Sequence, residues 1–433
     1  VNELKRKTAL LLGWEFPPAM AGGLAVATYG IVNALKEFIN IILIIPYKDD
    51  NTPEMPNVTI YGLNKLQEEF TEKVLIEIRE SMTSFNEVGF ISAYPFFSHT
   101  YMQPQTHEKV THQEVTVPID KVKLFQSEDI YGEGLWEKLQ AYRDLVTALS
   151  SVLEFDIIHC HDWLTFEAGM CVKRISGKPL ALHVHALETD RISEDVRNEI
   201  YQIEREAMLV ADVIFPVSHY TKSKIVHNYK IPAYKIFPIH NAVDATIAKK
   251  WKHRIPQKIV TFVGRVTTQK GPEYFFETAE KVVAKYPDVK FVIAGSGDQL
   301  YELIDKTAYK KLGKHFIFAG FLKRDEIDAL LSVTDVYFMP SVSEPFGLSA
   351  LEAARAGVPC VISKQSGAAE VLSSALIADF WDTDLFADHI VNLLSHKELS
   401  THIVEESKKD LAKISWDSSA SQIAEQYTRI LSL

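Results

Sequence analysis

Short runs of consecutive apolar, largely β-branched residues recur along this chain, separated by stretches whose apolar positions repeat at helical spacing. Thr8–Trp14 is the first such run; a loop containing Pro17, Pro18, Gly22 and Gly23 follows, then a helical stretch over Leu24–Phe38 and a second run at Ile39–Tyr47. From 50 to 150 the rhythm weakens. Asn57–Leu63 predicts a strand, Leu66–Arg79 an exposed acidic helix, Thr106–Pro118 a half-exposed strand and Gly134–Leu153 a helix. The rhythm returns with strands expected at Phe155–His161, Pro179–Ala186 and Val213–Ser218, and a short one at Lys235–Asp244. Helices over Leu164–Ile175, Glu194–Ala211 and Tyr220–Asn228 separate them. A second series of strands runs through Lys258–Arg265, Lys290–Gly297, His315–Leu322, Asp335–Ser341, Pro359–Ser363 and Ala375–Phe380. From Asp382 the pattern is helical to the end. Unbroken apolar strands, rather than alternating ones, predict sheets covered on both faces, and so parallel α/β architecture.

With 433 residues the chain exceeds one hydrophobic core and suits two domains of about 200 residues each. The polar stretch Lys249–Gln257 is the expected linker. A net charge of −11 opposes nonspecific nucleic-acid binding, which needs a basic surface. Cys160, Cys171 and Cys360 have neither disulfide nor zinc spacing and lie in or beside apolar runs, which predicts buried thiols. No run approaches the ~20 apolar residues of a membrane span, and the expected location is cytoplasmic.

In an open parallel sheet, ligands bind beyond the carboxyl ends of the strands, so the chemistry belongs in the strand-to-helix loops. The loop Ser341–Pro359 carries Glu344, then Gly347 and Leu348 at a helix start whose free N–H groups and dipole favour an anion, then Glu352 about two turns further on. Read singly, the two glutamates could equally be solvated helix charges. In Val263–Phe276, Arg265 and Lys270 stand at a strand end and can neutralise a diphosphate, unless they form only a solvated basic loop. Gly295, in the G-S-G after the next strand, fits either a ligand cradle or a tight turn. In the first half, Gly22 and Gly23 allow close backbone approach at a helix start. Asp162 ends a strand and could simply cap the next helix. His183 and His185 share one strand face, with His185 nearer the carboxyl end; no third ligand stands at metal spacing, so no metal is expected.

These residues carry a resemblance. Gly22–Gly23–Leu24, HDW at His161–Trp163, VHAL at Val184–Leu187, GRVTTQKG at Gly264–Gly271 and EPFGLSALE at Glu344–Glu352 fall in the order found in retaining GT-B glycosyltransferases. The chain resembles the glycogen/starch synthase and sucrose synthase group, glycosyltransferase families 4 and 5. The resemblance covers nearly the whole chain. It implies a GT-B fold, two doubly wound Rossmann-like domains facing a deep interdomain cleft. The domains would be an acceptor-side domain over 1–248, a donor domain over 249–412 and a C-terminal helix over 413–433 that crosses back.

The same resemblance implies residue roles. Arg265 and Lys270 would neutralise the donor diphosphate, with Gly347 and Leu348 offering backbone N–H groups and Gly23 approaching it. Glu352 would hold the ribose, Glu344 and His185 the transferred sugar. Asp162 matches a cleft aspartate of glycogen synthases. The implied activity is retaining transfer of a hexosyl unit, glucosyl by the group's habit, from a nucleotide diphosphate sugar to a carbohydrate or other acceptor hydroxyl in carbohydrate biosynthesis. Neither cofactor nor metal is implied. A nucleotide-sugar epimerase on the same fold and a noncatalytic nucleotide-sugar-binding scaffold stay open as alternatives. Two departures put a glucan product from ADP-glucose in doubt: Met20 stands where glycogen synthases carry lysine, and Ala186 where they carry asparagine.

Overall fold

The computed structural model describes residues 6–19, 22–70, 75, 77–78, 119–126, 129–132, 134–243 and 255–432. The expected strand at 106–118, part of the helix expected at 66–79, most of the linker and Met20 lie outside those residues.

Among the described residues, twelve strands form two six-stranded sheets. The first contains β1 (Thr8–Leu12), β2 (Asn40–Ile45), β3 (Val58–Gly62), β4 (Ile157–His161), β5 (Leu180–Val184) and β6 (Val213–Pro216), in the order β3-β2-β1-β4-β5-β6. The second contains β7 (Lys258–Val263), β8 (Val289–Ala294), β9 (Phe316–Gly320), β10 (Val336–Met339), β11 (Cys360–Ser363) and β12 (Leu376–Ala378), in the order β12-β11-β10-β7-β8-β9. β1 pairs in parallel with β2 and β4, and β7 with β8 and β10. Each sheet therefore has a point where the strand order reverses, at β1/β4 and at β7/β10.

The expected helices are α1 (Gly23–Leu35), α2 (Leu135–Leu149), α3 (Trp163–Ser176), α4 (Glu199–Val210), α5 (His219–Asn228), α6 (Pro272–Lys285), α7 (Leu300–Tyr309), α8 (Arg324–Leu331) and α9 (Leu348–Arg355). The helical tail resolves into α10 (Thr383–Ser395), α11 (Lys397–Leu411) and α12 (Trp416–Leu431). By packing, the described residues of 1–182, 210–212 and 427–433 make one compact unit and those of 183–209 and 213–426 the other.

The second sheet shows why its strands read as unbroken apolar runs. On β10, Val336 and Phe338 join a core with Phe275, Phe276, Ala279 and Val282 of α6. Tyr337 and Met339, pointing the opposite way, join a second core with Ala350, Leu351, Ala353 and Ala354 of α9. Both faces are dry, so the period-two alternation of polarity disappears. All three cysteines are free and buried; burial pushes the Cys360 thiol up to about 12.

Two expected elements change. The described part of Lys235–Asp244, residues 235–243, is not a strand: it meets β6 through a single bridge, Ile214 to Ile236, with Phe237 N–H on Ile214 O at 2.9 Å and Ile239 N–H on Pro216 O at 2.8 Å. Pro238, between those donors, offers no N–H on the edge away from β6, so no further strand can pair there. The helix expected from Glu194 starts at Glu199, because Asn198 Oδ1 accepts the Tyr201 N–H at 3.1 Å and satisfies the first turn as an N-cap.

Within the first unit, Tyr427 of α12 reaches His159 of β4, its hydroxyl 2.5 Å from Nδ1, both residues being buried. Tyr427→Phe removes that contact and should cost about 1–3 kcal/mol in urea unfolding, with unchanged far-ultraviolet circular dichroism.

Candidate functional site

Strand order explains which loops meet. β7 and β10 are 73 or more residues apart in the chain yet adjacent, with Val260 opposite Val336 and Thr261 opposite Tyr337. The loop after β7 carries Arg265 and Lys270; the loop after β10 carries Glu344. Lys270 and Glu344 form an ion pair, and Ser341 Oγ lies 3.4 Å from the same carboxylate oxygen. The Glu344 side chain is only 7% exposed, so its charge depends on that partner. Its backbone is held from both sides: Glu344 N–H donates to Gln365 O at 2.9 Å and Gly367 N–H donates to Glu344 O at 3.0 Å. Arg265 is exposed, with Nη2 at 3.4 Å from Gln269 Oε1.

Gly347 precedes α9 with φ +97°, in the left-handed region that favours glycine. A Cβ there would stand 3.2 Å from Glu344 Cγ, so the helix start and the glutamate pack together. Glu352, on the same helix, is buried and pairs with Arg324, the first residue of α8. Burial raises the Glu352 carboxyl, and the guanidinium of Arg324, with that of Arg355, works against the rise. The two glutamates of the motif thus each hold a cation: Lys270 for one, Arg324 for the other.

Gly295 sits where two backbones approach closely. Its N–H donates to Gly320 O at 2.7 Å, its φ is +150°, and a Cβ would fall 1.8 Å from Gly264 O. The backbones after β7 and β8 touch here, which brings the Arg265 loop into its position. Gly295→Ala should force these loops apart; a lowered melting temperature of the whole chain is the expected result, read by differential scanning calorimetry.

In the first unit, Asp162 ends β4 at φ +62°, ψ 168°, a backbone conformation costly for a residue with a Cβ. It makes no side-chain capping bond to α3, so the simple cap reading fails. Gly22 stands at the N-cap of α1, and its N–H donates to Glu15 Oε2 at 3.2 Å. Tyr131 donates its hydroxyl to Glu15 Oε1. An anion reaching this helix end meets a buried carboxylate, which no spacing argument singled out; the available signal was a lone acid directly after an apolar strand. Gly23 opens α1 beside it.

His185 follows β5, partly buried, with its ring stacked on His183 at 4.5 Å between centroids and 10° between planes. Its loop is pinned: Arg191 Nη2 donates to Ala186 O at 3.2 Å, and Leu187 N–H donates to Asp190 Oδ2 at 2.9 Å. Burial lowers the His185 pKa to about 3, so the ring is a neutral hydrogen-bonding group at physiological pH. The unfolded chain therefore binds a proton at this residue that the folded chain refuses between about pH 6.5 and about pH 3. Stability should fall with acidification through that window, and His185→Gln should flatten the slope in urea midpoints measured against pH.

Comparisons with known proteins bear on the fold and the family. The profile of Glycosyl transferases group 1 matches residues 244–410, and that of Glycosyltransferase Family 4 matches residues 97–247. An uncharacterized glycosyltransferase of Methanocaldococcus jannaschii is 31% identical over 296 residues, spanning 63% of this chain and 75% of that protein. A glycogen synthase of Mycobacterium tuberculosis is 29% identical over 224 residues, spanning 50% of this chain and 54% of that one. Among solved structures, sucrose-phosphate synthase from Thermosynechococcus elongatus superposes with a TM-score of 0.70 at 17% identity, over 99% of this chain and 100% of that one; at that identity the likeness speaks to the fold, which is GT-B.

Proposed function

The chain belongs to the group 1 and family 4 glycosyltransferases, and from that premise we propose that it moves a hexosyl unit, glucosyl in the first instance, from a nucleotide diphosphate sugar to an acceptor hydroxyl with retention of anomeric configuration. The observation that carries this reading is the Lys270–Glu344 pair at the β7/β10 reversal, with the start of α9 beside it.

On this reading, the donor diphosphate lies against Arg265, Lys270 and the N–H groups of Gly347 and Leu348. As the bond from the anomeric carbon to the phosphate oxygen breaks, negative charge grows on the leaving group. Fixed cations and a helix N-terminus stabilise it without a strong general acid. The diphosphate competes with Glu344 for Lys270, which turns the carboxylate towards the hydroxyls of the transferred sugar. Glu352 takes the ribose hydroxyls. His185, neutral, can hydrogen-bond the sugar but brings no charge to repel an oxocarbenium-like centre. The acceptor hydroxyl attacks the face the diphosphate leaves, and its proton passes to the departing phosphate oxygen. No step in this scheme calls for a metal ion.

Lys270→Ala and Glu344→Gln should each lower kcat roughly 100- to 1000-fold, with folded chains by circular dichroism. Nucleoside diphosphate release and the glycoside product, followed together, separate transfer from epimerisation or mere binding. Near-parental transfer in both variants would falsify the site. A thermal-shift screen across ADP-, UDP- and GDP-sugars identifies the donor, since the true donor stabilises the folded state through binding.

A further inference from the structure

We propose that Asp190, Lys224 and Ser343 form a positioning site that sets the loop of His185 and the loop of Glu344 in their working relation. It rests on the transferase reading above, in which those two side chains hold the transferred sugar.

One carboxylate joins the two loops. Asp190 Oδ2 accepts the Leu187 N–H at 2.9 Å, two residues beyond His185. Its Oδ1 accepts Ser343 Oγ at 2.6 Å, next to Glu344. Lys224 of α5 closes the triangle, 2.7 Å from Asp190 Oδ1 and 2.9 Å from Ser343 Oγ. A serine hydroxyl has one proton. Ser343 gives it to the carboxylate, so the Lys224 ammonium and the Tyr220 hydroxyl at 3.1 Å both donate to the serine oxygen.

The next residue is fixed as well. Pro345 O accepts Ser218 Oγ at 2.6 Å and Thr221 Oγ1 at 3.3 Å. Glu344 is therefore bracketed: Ser343 before it and Pro345 after it are both tied to the segment 187–224. The Lys270 turn joins the same hub, because Val342 N–H donates to Gln269 O at 2.9 Å.

Burial argues that this pair does more than stabilise. The Asp190 side chain is 0% and the Lys224 side chain 7% exposed. An ion pair this dry gains little over apolar residues of the same volume, but it demands one geometry. Burial works to lower the Lys224 pKa, and the Asp190 carboxylate beside it, with Tyr220, more than reverses that effect, so the lysine stays charged. The pair's own contacts are with Leu187, Thr189 and Ser343. The Lys270 turn is reached through the backbone of Val342, which a side-chain change at Ser343 leaves in place, so the site acts first on the groups that hold the sugar.

The test is Ser343→Ala in the full chain, which removes the joining hydroxyl and leaves the ion pair intact. Nucleoside diphosphate affinity by calorimetry should stay close to parental and the melting temperature should fall by only a few degrees, as for the loss of one buried hydrogen bond, while kcat falls roughly tenfold or more, as expected when a reacting group is misplaced. The double variant Asp190→Asn/Lys224→Met leaves no lone buried charge and should show the same split. Turnover by Ser343→Ala equal to the parent overturns the inference, as does a kcat loss matched by an equal loss of diphosphate affinity and melting temperature. An inactive parent overturns the transferase reading and this inference with it; an active parent with an indifferent Ser343→Ala overturns this inference alone.

Discussion

Parallel pairing of β7 with β10 is the constraint on which the candidate site depends. Two strands far apart in the chain lie side by side because the sheet order reverses between them. Both following loops leave from the same sheet end, with α6 and α9 packed on opposite faces of the sheet; in open parallel sheets such a reversal is where ligands bind. Everything assigned to donor chemistry in the second sheet hangs on that adjacency. Lys270 and Glu344 meet only because β7 and β10 do.

Around this junction the chain keeps buried charges in compensated sets. Glu344 has Lys270, Glu352 has Arg324, Asp190 has Lys224. Glu204, 1% exposed, takes the Glu188 N–H, Arg191 and the Tyr229 hydroxyl. A carboxylate withdrawn from water without such partners would be prohibitively costly. The sets differ in exposure. Lys270 and Arg324 are partly exposed and within reach of solvent, whereas Asp190 and Lys224 are closed off from it. Glycine plays a parallel part in the backbone, where Gly295 lets two loops approach within distances that a side chain would forbid.

Much of this was legible in the chain. The strands of both sheets were readable because burial on two faces leaves runs of Val, Ile, Leu and Phe that no loop or surface helix would carry. Arg265, Lys270, Glu344, Gly347 and Glu352 could be placed in strand-end loops because those loops hold few residues and the parallel architecture says where they lie. Where the reading slipped at a helix start, local chemistry had overridden periodicity: Asn198 capped a helix whose periodicity began earlier.

Sequence by itself thus determined the architecture, through periodicity and strand-end spacing, which are local properties of the chain, and, through the resemblance of its motifs, the family. It could not determine partners. That Glu15 sits on Gly22, that Arg324 holds Glu352, that one carboxylate at Asp190 ties Leu187 to Ser343 across more than 150 residues, were decided only by the tertiary structure. The reason is physical: a hydrogen bond is chosen by distance and angle within a few tenths of an ångström, and that proximity arises from strand order and packing, which leave no mark on the spacing of the residues that meet.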